Sequence, residues 1–420
     1  MSAGPRPDYL LDVPEAVARV LADVHTLAPE TVPLLSALGR VLARDVTAGV
    51  TLPPWDNSAM DGYAVRGADL ARLPARLRVI ESIAAGQFPT REVGPGDATR
   101  IMTGAPTPRG ADTVVRVEDT DGGTEQVEVR AARDAGKNVR PRGEDMLEGR
   151  VVMTRGSAVG AAQLGVLAAV GCATVHVHRA PRVAILTSGD ELVELERFDE
   201  VRAGRKIVSS NSYTLQALVR EAGGDPVYLG IAADTRESLR SHLERARSAD
   251  LIITSAGVSV GEYDYVRDVL RELGAKMKFW RVRMRPGAPI GFGLLDATPW
   301  IGLPGNPVST MVTFELFARP AIRRLRGHAR LFRRPFPVRL DEPVSTGGEL
   351  THFLRAIITR RGSEPRARLT GPQGSGILTS MSAANALLIV PRDRPNVPAG
   401  DQLNAFALGG DADFADTFSL

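Results

Sequence analysis

The feature that most constrains the fold is a short apolar run that ends in a loop of small and hydroxylated residues. Residues 254–264 (Thr-Ser-Ala-Gly-Val-Ser-Val-Gly-Glu-Tyr-Asp) form this loop, directly after the mostly apolar residues 250–253. Residues 265–273 follow, and their apolar spacing is typical of a helix. Such a junction exposes backbone N–H groups beside the positive end of a helix dipole. It therefore predicts an anion-binding loop in an α/β fold.

The surrounding sequence repeats this strand–loop–helix pattern from residue 182 onwards. Such alternation predicts a largely parallel sheet with helices on both faces, which is a three-layer α/β domain. Ligands of open α/β sheets bind beyond the C-terminal ends of the strands, where the loops lie. We expect strands at 183–187, 226–231, 251–254, 279–284, 289–294 and 300–303, and helices at 212–222, 235–247, 265–273 and 307–325.

The rest of the chain has other patterns, which together predict a multidomain α/β plus β protein. Residues 51–150 contain short β runs, such as 77–83, 113–117 and 126–130, and predict a small β domain. Helical spacing over 14–27, 33–42 and 159–170 assigns 1–50 and 151–180 to a helical linker and dimerisation region. The α/β domain then spans 181–330, and a β-barrel-like C-terminal domain spans 331–420.

Composition excludes several classes of protein. The chain has 420 residues, 43% hydrophobic and 24% charged, which is ordinary for a soluble globular protein. Its net charge of 52 − 49 = +3 does not indicate a nucleic-acid partner. A single cysteine, Cys172, excludes an intrachain disulfide and a thiolate zinc site and suits a reducing compartment. No run predicts a membrane span or a signal peptide, so we expect a cytoplasmic protein.

Two further strand ends carry side chains suited to a ligand. In residues 187–192 (Thr-Ser-Gly-Asp-Glu-Leu), Ser188 and Gly189 allow close backbone approach, and Asp190 and Glu191 supply two acids. An N-cap turn alone explains such a pair, but its recurrence at 254–264 favours a ligand site. Residues 302–309 (Gly-Leu-Pro-Gly-Asn-Pro-Val-Ser) fit either a helix cap or a phosphate-facing loop.

Basic and imidazole side chains have simpler interpretations. Arg281 and Arg285 are an even number of residues apart, so on one strand they would share a face and clamp an oxyanion; an ordinary surface pair is the alternative. The arginines over 319–339 are expected on the solvated face and exit of a helix. We expect His176 and His178 to lie on the surface.

Taken together, the ordered motifs resemble the molybdopterin molybdenumtransferases, the MoeA family, which includes the E domain of gephyrin. The resemblance covers nearly the whole chain. The motifs are Asp-Asn-Ser-Ala-Met-Asp-Gly-Tyr-Ala-Val (56–65), Arg-Ile-Met-Thr-Gly-Ala-Pro (100–106), Arg-Gly-Glu-Asp (142–145), Thr-Ser-Gly-Asp-Glu-Leu (187–192), Thr-Ser-x-Gly-Val-Ser-Val-Gly (254–261), Gly-Leu-Pro-Gly-Asn-Pro-Val-Ser (302–309) and Ser-Met-Ser-Ala-Ala-Asn-Ala (380–386).

The resemblance implies a reaction and an assembly. The α/β domain would bind molybdopterin, and the enzyme would be an elongated homodimer with its cleft between this domain and the β domain of the other subunit. Adenylylated molybdopterin and molybdate, with Mg²⁺, would give the molybdenum cofactor and AMP. Other proteins of cofactor biosynthesis would be further partners, without nucleic acid or membrane.

The resemblance also implies roles for residues that match its motifs. The implied catalytic residues are Asp61, Thr103, Asp145, Glu191, Asp234 and Asp264. The implied substrate-binding residues are Arg140, Ser188, Gly189, Ser255, Gly257, Ser259, Arg281, Arg285, Pro304, Gly305, Asn306, Pro307, Arg355 and Ser380. The implied Mg²⁺ ligands are Asp190, Glu191, Asp234 and Asp264.

Two positions depart from the family pattern. Ala256 stands where the phosphate loop usually has glycine, and Ala288 stands where a Pro-Gly-Lys-Pro turn usually has lysine. If position 256 requires a positive φ, alanine there costs about 1 kcal/mol. These departures support one alternative, a non-catalytic pterin-binding or scaffold homologue. A molybdopterin adenylyltransferase is a second alternative, which the extra β regions disfavour; the choice between molybdate and tungstate stays open.

Overall fold

The computed structural model describes residues 10–256, 265–361 and 364–409. A six-stranded sheet forms its centre, and four adjacent strands in it are parallel. The fifth strand runs antiparallel to both of its neighbours. In spatial order the strands are Asp225–Ala232, Arg182–Ser188, Leu251–Ser255, Thr298–Leu303, Pro289–Leu295 and Lys276–Arg281.

Helices cover both faces of this sheet and complete the three predicted layers. Because successive strand side chains point to opposite faces, Val183 and Ile185 enter one apolar core while Ala184 and Leu186 enter the other. The first core packs against Val13–Ala22, Ser210–Glu221, Pro307–Thr313 and Arg319–Leu325; the second packs against Arg236–Ala246 and Tyr265–Glu272.

The N-terminal part builds a separate five-stranded sheet. Its strands lie in the order Thr113–Arg116, Gly62–Val65, Asp97–Ile101, Ala75–Ile83 and Gln126–Val129. This part also contains three two-stranded ribbons, and each joins distant parts of the sequence. They pair Pro29–Pro33 with Thr174–His178, Val46–Thr47 with Val151–Met153, and Asn57–Ser58 with Val139–Arg140. The helix Ala161–Ala169 precedes the strand Thr174–His178.

The C-terminal part is a barrel-like sheet, as predicted. Its strands lie in the order Met284–Arg285, Thr351–Arg361, Glu364–Leu369, Phe336–Leu340, Gln402–Ala407 and Ala386–Val390. A further pairing between Thr351–Arg361 and Ala386–Val390 closes the last five strands on themselves. The C-terminal part also contains a ribbon and a helix outside the barrel sheet. The ribbon pairs Val344–Ser345 with Asn396–Val397, and the helix is Leu378–Ala383. Among the described residues no helix has the length and apolarity of a membrane span.

Two predicted elements differ from the structure. Residues 33–42 do not form a helix; a single 3₁₀ turn, Leu34–Ala37, follows the strand Pro29–Pro33, because that strand pairs with Thr174–His178. The expected strand 279–284 is split. Lys276–Arg281 belongs to the central sheet, whereas Met284–Arg285 pairs in parallel with Thr351 and His352 of the barrel.

The predicted helix 307–325 is interrupted by a π turn at Phe314–Ala318. Pro320 lacks the N–H that a regular helix needs at that point, and a wider turn accommodates this loss. The turn carries Glu315, whose carboxylate accepts from Arg319 Nε at 2.8 and 2.9 Å and from Arg333 Nε at 2.8 Å.

The expectation that the arginines over 319–339 are solvated is therefore wrong in part. Arg319 is buried against Glu315, and Arg326 is buried with its guanidinium donating to the carbonyls of Ala222 and Gly39. His178 is also buried, contrary to its predicted surface position. Its Nδ1 lies 2.8 Å from the Leu27 carbonyl oxygen, and Gly327 packs so closely that a Cβ there would lie 2.3 Å from the His178 ring.

Candidate ligand-binding site

A cavity of about 410 Å³ lies at the C-terminal ends of the parallel strands. Its described lining comes from the ends of three parallel strands and the loops after them, from Ile207–Asn211 and from Pro289. Hydroxyl groups and backbone share this lining with proline rings and with the apolar side chains of Leu192, Ile207 and Val208. Glu191 is the charged side chain among the described lining residues. The cavity therefore lies where the sequence predicted a ligand, at the ends of the parallel strands.

Strand register brings the three loops together. Thr187 pairs with Ser255, and Ser255 pairs with Leu303, so the strands Arg182–Ser188, Leu251–Ser255 and Thr298–Leu303 end at the same level. Ser188, Ser255 and the loop Pro304–Pro307 consequently meet at one edge of the sheet. Ser188, Ser255, Pro304, Gly305, Asn306 and Pro307, all predicted to bind substrate, line this cavity.

Asn211 joins these loops, and the sequence interpretation did not identify it. Its Nδ2 donates to Ser255 Oγ at 2.8 Å and to the Gly305 carbonyl oxygen at 2.7 Å. Its Oδ1 is buried and has no hydrogen-bond partner within the described part of the chain. The only sequence signal is a run of serines and Asn211 at a helix start, which predicts capping equally well.

Asn306 takes the expected N-cap position, but its side chain does not cap the helix. Its Nδ2 donates instead to Ser375 Oγ at 3.0 Å, and Val308 N donates to the Ser375 carbonyl at 3.0 Å. A loop of the C-terminal part is thus held against the loop Pro304–Pro307 at the edge of the cavity.

Acidic residues at two strand ends face each other. Asp190 N donates to Asp234 Oδ2 at 3.3 Å, and Asp234 N donates to Asp190 Oδ1 at 3.1 Å. Burial, and then the charges of Asp190 and Glu191, raise the pKa of Asp234. Glycine is favoured at position 189 because its φ of 148° is a backbone conformation that L side chains rarely adopt.

No group of three or more metal-ligating side chains is already assembled among residues 10–256, 265–361 and 364–409. The structure brings together Asp190 and Asp234, two of the predicted Mg²⁺ ligands, with Glu191 adjacent in sequence. Asp264, Gly257 and Ser259 lie outside the described residues.

The predicted residues of the N-terminal β part are exposed and lie apart from the described cavity lining. Asp61 Oδ1 accepts from Thr103 N at 2.7 Å and from Thr103 Oγ1 at 2.6 Å. These two hydrogen bonds lower the pKa of Asp61, so it is ionised at neutral pH. Arg140 and Asp145 are exposed, and none of these four side chains lines the cavity of the same chain.

The expected pairing of Arg281 and Arg285 on one strand is wrong. The chain leaves the central sheet after Arg281, and Val282 N turns back to the Ala288 carbonyl, so Arg285 belongs to the barrel sheet. Both side chains are exposed. Ala288 is half-buried in this turn, directly before Pro289, which lines the cavity.

Arg355 and Ser380 hold a loop of the C-terminal part. Arg355 is 0% exposed, and its Nε donates to Ser380 Oγ at 2.9 Å. Its terminal nitrogens donate to the carbonyl oxygens of Pro372, Gln373 and Gly374 at 2.9–3.1 Å. The loop fixed in this way carries Ser375, the partner of Asn306. A direct contact of Arg355 or Ser380 with substrate stays a prediction.

Ala256 adopts a left-handed backbone conformation, with φ of 75°. This conformation costs a non-glycine residue about 1–2 kcal/mol. Ala256 N donates to the Leu303 carbonyl at 3.1 Å, which holds it there. Its methyl group faces Gly305, where an added Cβ would lie 3.3 Å away. Both residues line the cavity, so this methyl group narrows it.

We expect Ala256→Gly to raise the free energy of unfolding by up to about 1 kcal/mol. Relief of the left-handed conformation outweighs the greater entropy of an unfolded glycine. Ala256→Val should lower it by about 1–3 kcal/mol, because a β-branched residue fits this region poorly. Urea denaturation measures both changes.

Gly305→Ala is the matched control for the contact with Ala256. Gly305→Ala should lower the free energy of unfolding less in the Ala256→Gly background than in the wild type, because the facing methyl group is gone. An equal loss of unfolding free energy in the two backgrounds would contradict the contact between positions 256 and 305.

Comparison with known proteins assigns the family. Residues 11–171 match the MoeA N-terminal region (domain I and II), residues 184–324 match a probable molybdopterin binding domain, and residues 337–408 match the MoeA C-terminal region (domain IV). The cavity lining, from Thr187 to Pro307, falls within the second of these matches.

Whole-chain relatives agree with these matches. Molybdopterin molybdenumtransferase of Nostoc sp. is 39% identical over 88% of this chain and 87% of its own length. Molybdopterin molybdenumtransferase 2 of Mycobacterium tuberculosis is 39% identical over 93% of this chain and 98% of its own length. The crystal structure of a molybdopterin biosynthesis moeA protein from Pyrococcus horikoshii OT3 superposes with a TM-score of 0.82 at 28% identity, covering 95% of this chain and 100% of that chain. This chain therefore belongs to the molybdopterin molybdenumtransferase family, the MoeA family.

Proposed function

We propose that this chain catalyses a step of molybdenum cofactor biosynthesis in the cytoplasm, the insertion of molybdate into adenylylated molybdopterin with release of AMP. The observation that supports it most is the cavity at the strand ends, within the part of the chain that matches a molybdopterin binding domain. Its hydroxyl groups and backbone can hydrogen-bond to a pterin and its phosphate, and its apolar side chains can pack against the pterin ring.

Mg²⁺ fits the acids beside this cavity. Asp190 and Asp234 each keep one carboxylate oxygen without a hydrogen bond to any described residue. Burial, and then repulsion from Asp190 and Glu191, raise the pKa of Asp234, and a bound cation would favour its ionised form. Mg²⁺ is commonly held by one or two carboxylates, waters and substrate phosphates, so a full protein cage is not needed. Bound there, Mg²⁺ would neutralise charge on the phosphates.

AMP release from adenylylated molybdopterin should require both Mg²⁺ and molybdate. Asp234→Asn should lower the rate at least tenfold, because it removes one charge from the proposed Mg²⁺ site. Asp199→Asn is the matched control, since Asp199 is an exposed acid of the same domain with 95% of its side chain accessible. Chromatography of AMP measures the rate.

Each alternative function gives a different result in this assay. A scaffold homologue binds adenylylated molybdopterin without releasing AMP under any combination of metal and oxyanion. An adenylyltransferase consumes ATP and forms adenylylated molybdopterin. Either result would contradict the proposed reaction.

We further propose a homodimer in which each active site takes its N-terminal acids from the partner subunit. The ionised carboxylate of Asp61 accepts a hydrogen bond from Thr103, yet neither residue lines the described cavity of its own chain. Two-fold symmetry lets one surface of each subunit complete the site of the other.

Co-expression of Asp61→Ala with Asp234→Ala tests this shared site. Each variant alone should be inactive, whereas a mixed dimer should contain one intact site and one doubly altered site. Random pairing makes half of the dimers mixed, so roughly a quarter of all sites should recover. Mixed dimers, isolated with two affinity tags, that remain as inactive as either parent would rule out sharing.

A further inference from the structure

A chain of hydroxyl groups runs from the cavity to a carboxylate outside the proposed metal site. Ser209 lines the cavity, and its Oγ lies 2.5 Å from Ser212 Oγ. Ser212 Oγ lies 3.0 Å from Tyr228 Oη, and Tyr228 Oη donates to Glu194 Oε1 at 2.6 Å. The three contacts are short enough for hydrogen bonds throughout.

The cavity end of this chain of hydroxyl groups is buried, and the far end reaches the surface. Ser209 and Ser212 are buried, whereas Tyr228 and Glu194 are half-buried. The other oxygen of Glu194, Oε2, accepts from Tyr213 Oη at 3.4 Å, and Tyr213 is 40% exposed. Burial, together with the hydrogen bond to Glu194, raises the pKa of Tyr228 to about 12, so the phenol keeps its proton at neutral pH.

The proton count allows this chain two arrangements. With Glu194 ionised, Tyr228 donates to Glu194, so Ser212 donates to Tyr228 and Ser209 donates to Ser212. With Glu194 protonated, donor and acceptor exchange roles in each of the three hydrogen bonds. Ser209 then accepts from Ser212, so its own hydroxyl proton needs another acceptor. Thr187 Oγ1 supplies it, because Ser209 Oγ donates to it at 3.4 Å. Thr187 also lines the cavity.

We propose that Ser209, Ser212, Tyr228 and Glu194 form a proton path that carries a proton from the cavity to Glu194. The proposal rests on the proposed function, because hydrolysis of the phosphoanhydride supplies the proton. A new bond joins the water oxygen to phosphorus, and the bridging phosphorus–oxygen bond to AMP breaks. The two product monoesters are mostly dianionic above pH ~6, so the hydrogens of the added water are released as protons.

Transfer along the path is balanced at each atom. Of the two released protons, one leaves directly to solvent and the other binds Ser209 Oγ, while Ser209, Ser212 and Tyr228 each pass on their own hydroxyl proton. Glu194 gains one proton, becomes a carboxylic acid and passes it to solvent beside Tyr213. Rotation of the hydroxyl groups then restores the first arrangement. No oxidant or further reactant is needed.

Tyr228→Phe interrupts the path while keeping the aromatic ring. We expect kcat for AMP release to fall about a hundredfold or more, the size of a typical lost proton transfer, with Kd for adenylylated molybdopterin within about twofold of wild type. Glu194→Gln keeps the size of the side chain but cannot accept the proton, so it should show the same split between kcat and Kd. Tyr213→Phe is the matched control, because it removes a hydroxyl group from the same carboxylate outside the path, and it should keep the wild-type kcat.

The outcomes separate this inference from the proposed function. Wild-type kcat in the Tyr228→Phe variant, or a loss that appears only as weaker substrate binding, would overturn the proton path and leave the proposed function standing. A wild-type protein that binds adenylylated molybdopterin but releases no AMP would overturn both, since the path then has no proton to carry.

Discussion

The site depends on the register of three parallel strands. Because Thr187, Ser255 and Leu303 lie side by side, the loops that follow them leave the sheet at one level and enclose one cavity. Alternation of apolar side chains between two helical layers fixes this register, since a slip by one residue would exchange the two cores. Packing far from the cavity thus determines where the polar groups of the loops meet.

Polar contacts then fix the loops more finely than packing does. The amide of Asn211 ties the helix Ser210–Glu221 to Ser255 and Gly305. Ala256 is held in a left-handed conformation by its hydrogen bond to Leu303, and a Cβ added at Gly305 would lie 3.3 Å from its methyl group. On the far side, Arg355 holds the loop that carries Ser375 to Asn306. A ligand in this cavity would meet groups that are already positioned.

Sequence patterns predicted the parts of the structure that follow from local chemistry. Apolar runs and helical spacing predicted most central strands and helices within one or two residues, and the chemistry of small residues located the loops. The exceptions are the strand expected over 279–284, which ends at Arg281, and the helix expected over 307–325, which a π turn interrupts. The predictions were wrong where contacts between distant segments of the chain determine which side chains are buried or bonded. His178 and Arg326 are buried because Gly327 and the carbonyls of Gly39 and Ala222 approach them in space. Asn211 was missed because its partners, Ser255 and Gly305, lie 44 and 94 residues away in the sequence.

If molybdopterin binds in the cavity fixed by Asn211, removing the Asn211 side chain should weaken its binding. Isothermal titration of adenylylated molybdopterin into Asn211→Ala measures this change. Loops released from two hydrogen bonds of about 1 kcal/mol each must be ordered again when the ligand binds, so Kd should weaken about ten- to thirtyfold.

The matched control is Asn385→Ala, which also loses two side-chain hydrogen bonds, here to the Ile358 backbone at 2.7 and 2.9 Å, although Asn385 does not line the cavity. We expect wild-type affinity for Asn385→Ala and the stated loss for Asn211→Ala. Equal affinity of Asn211→Ala and the wild type would contradict it.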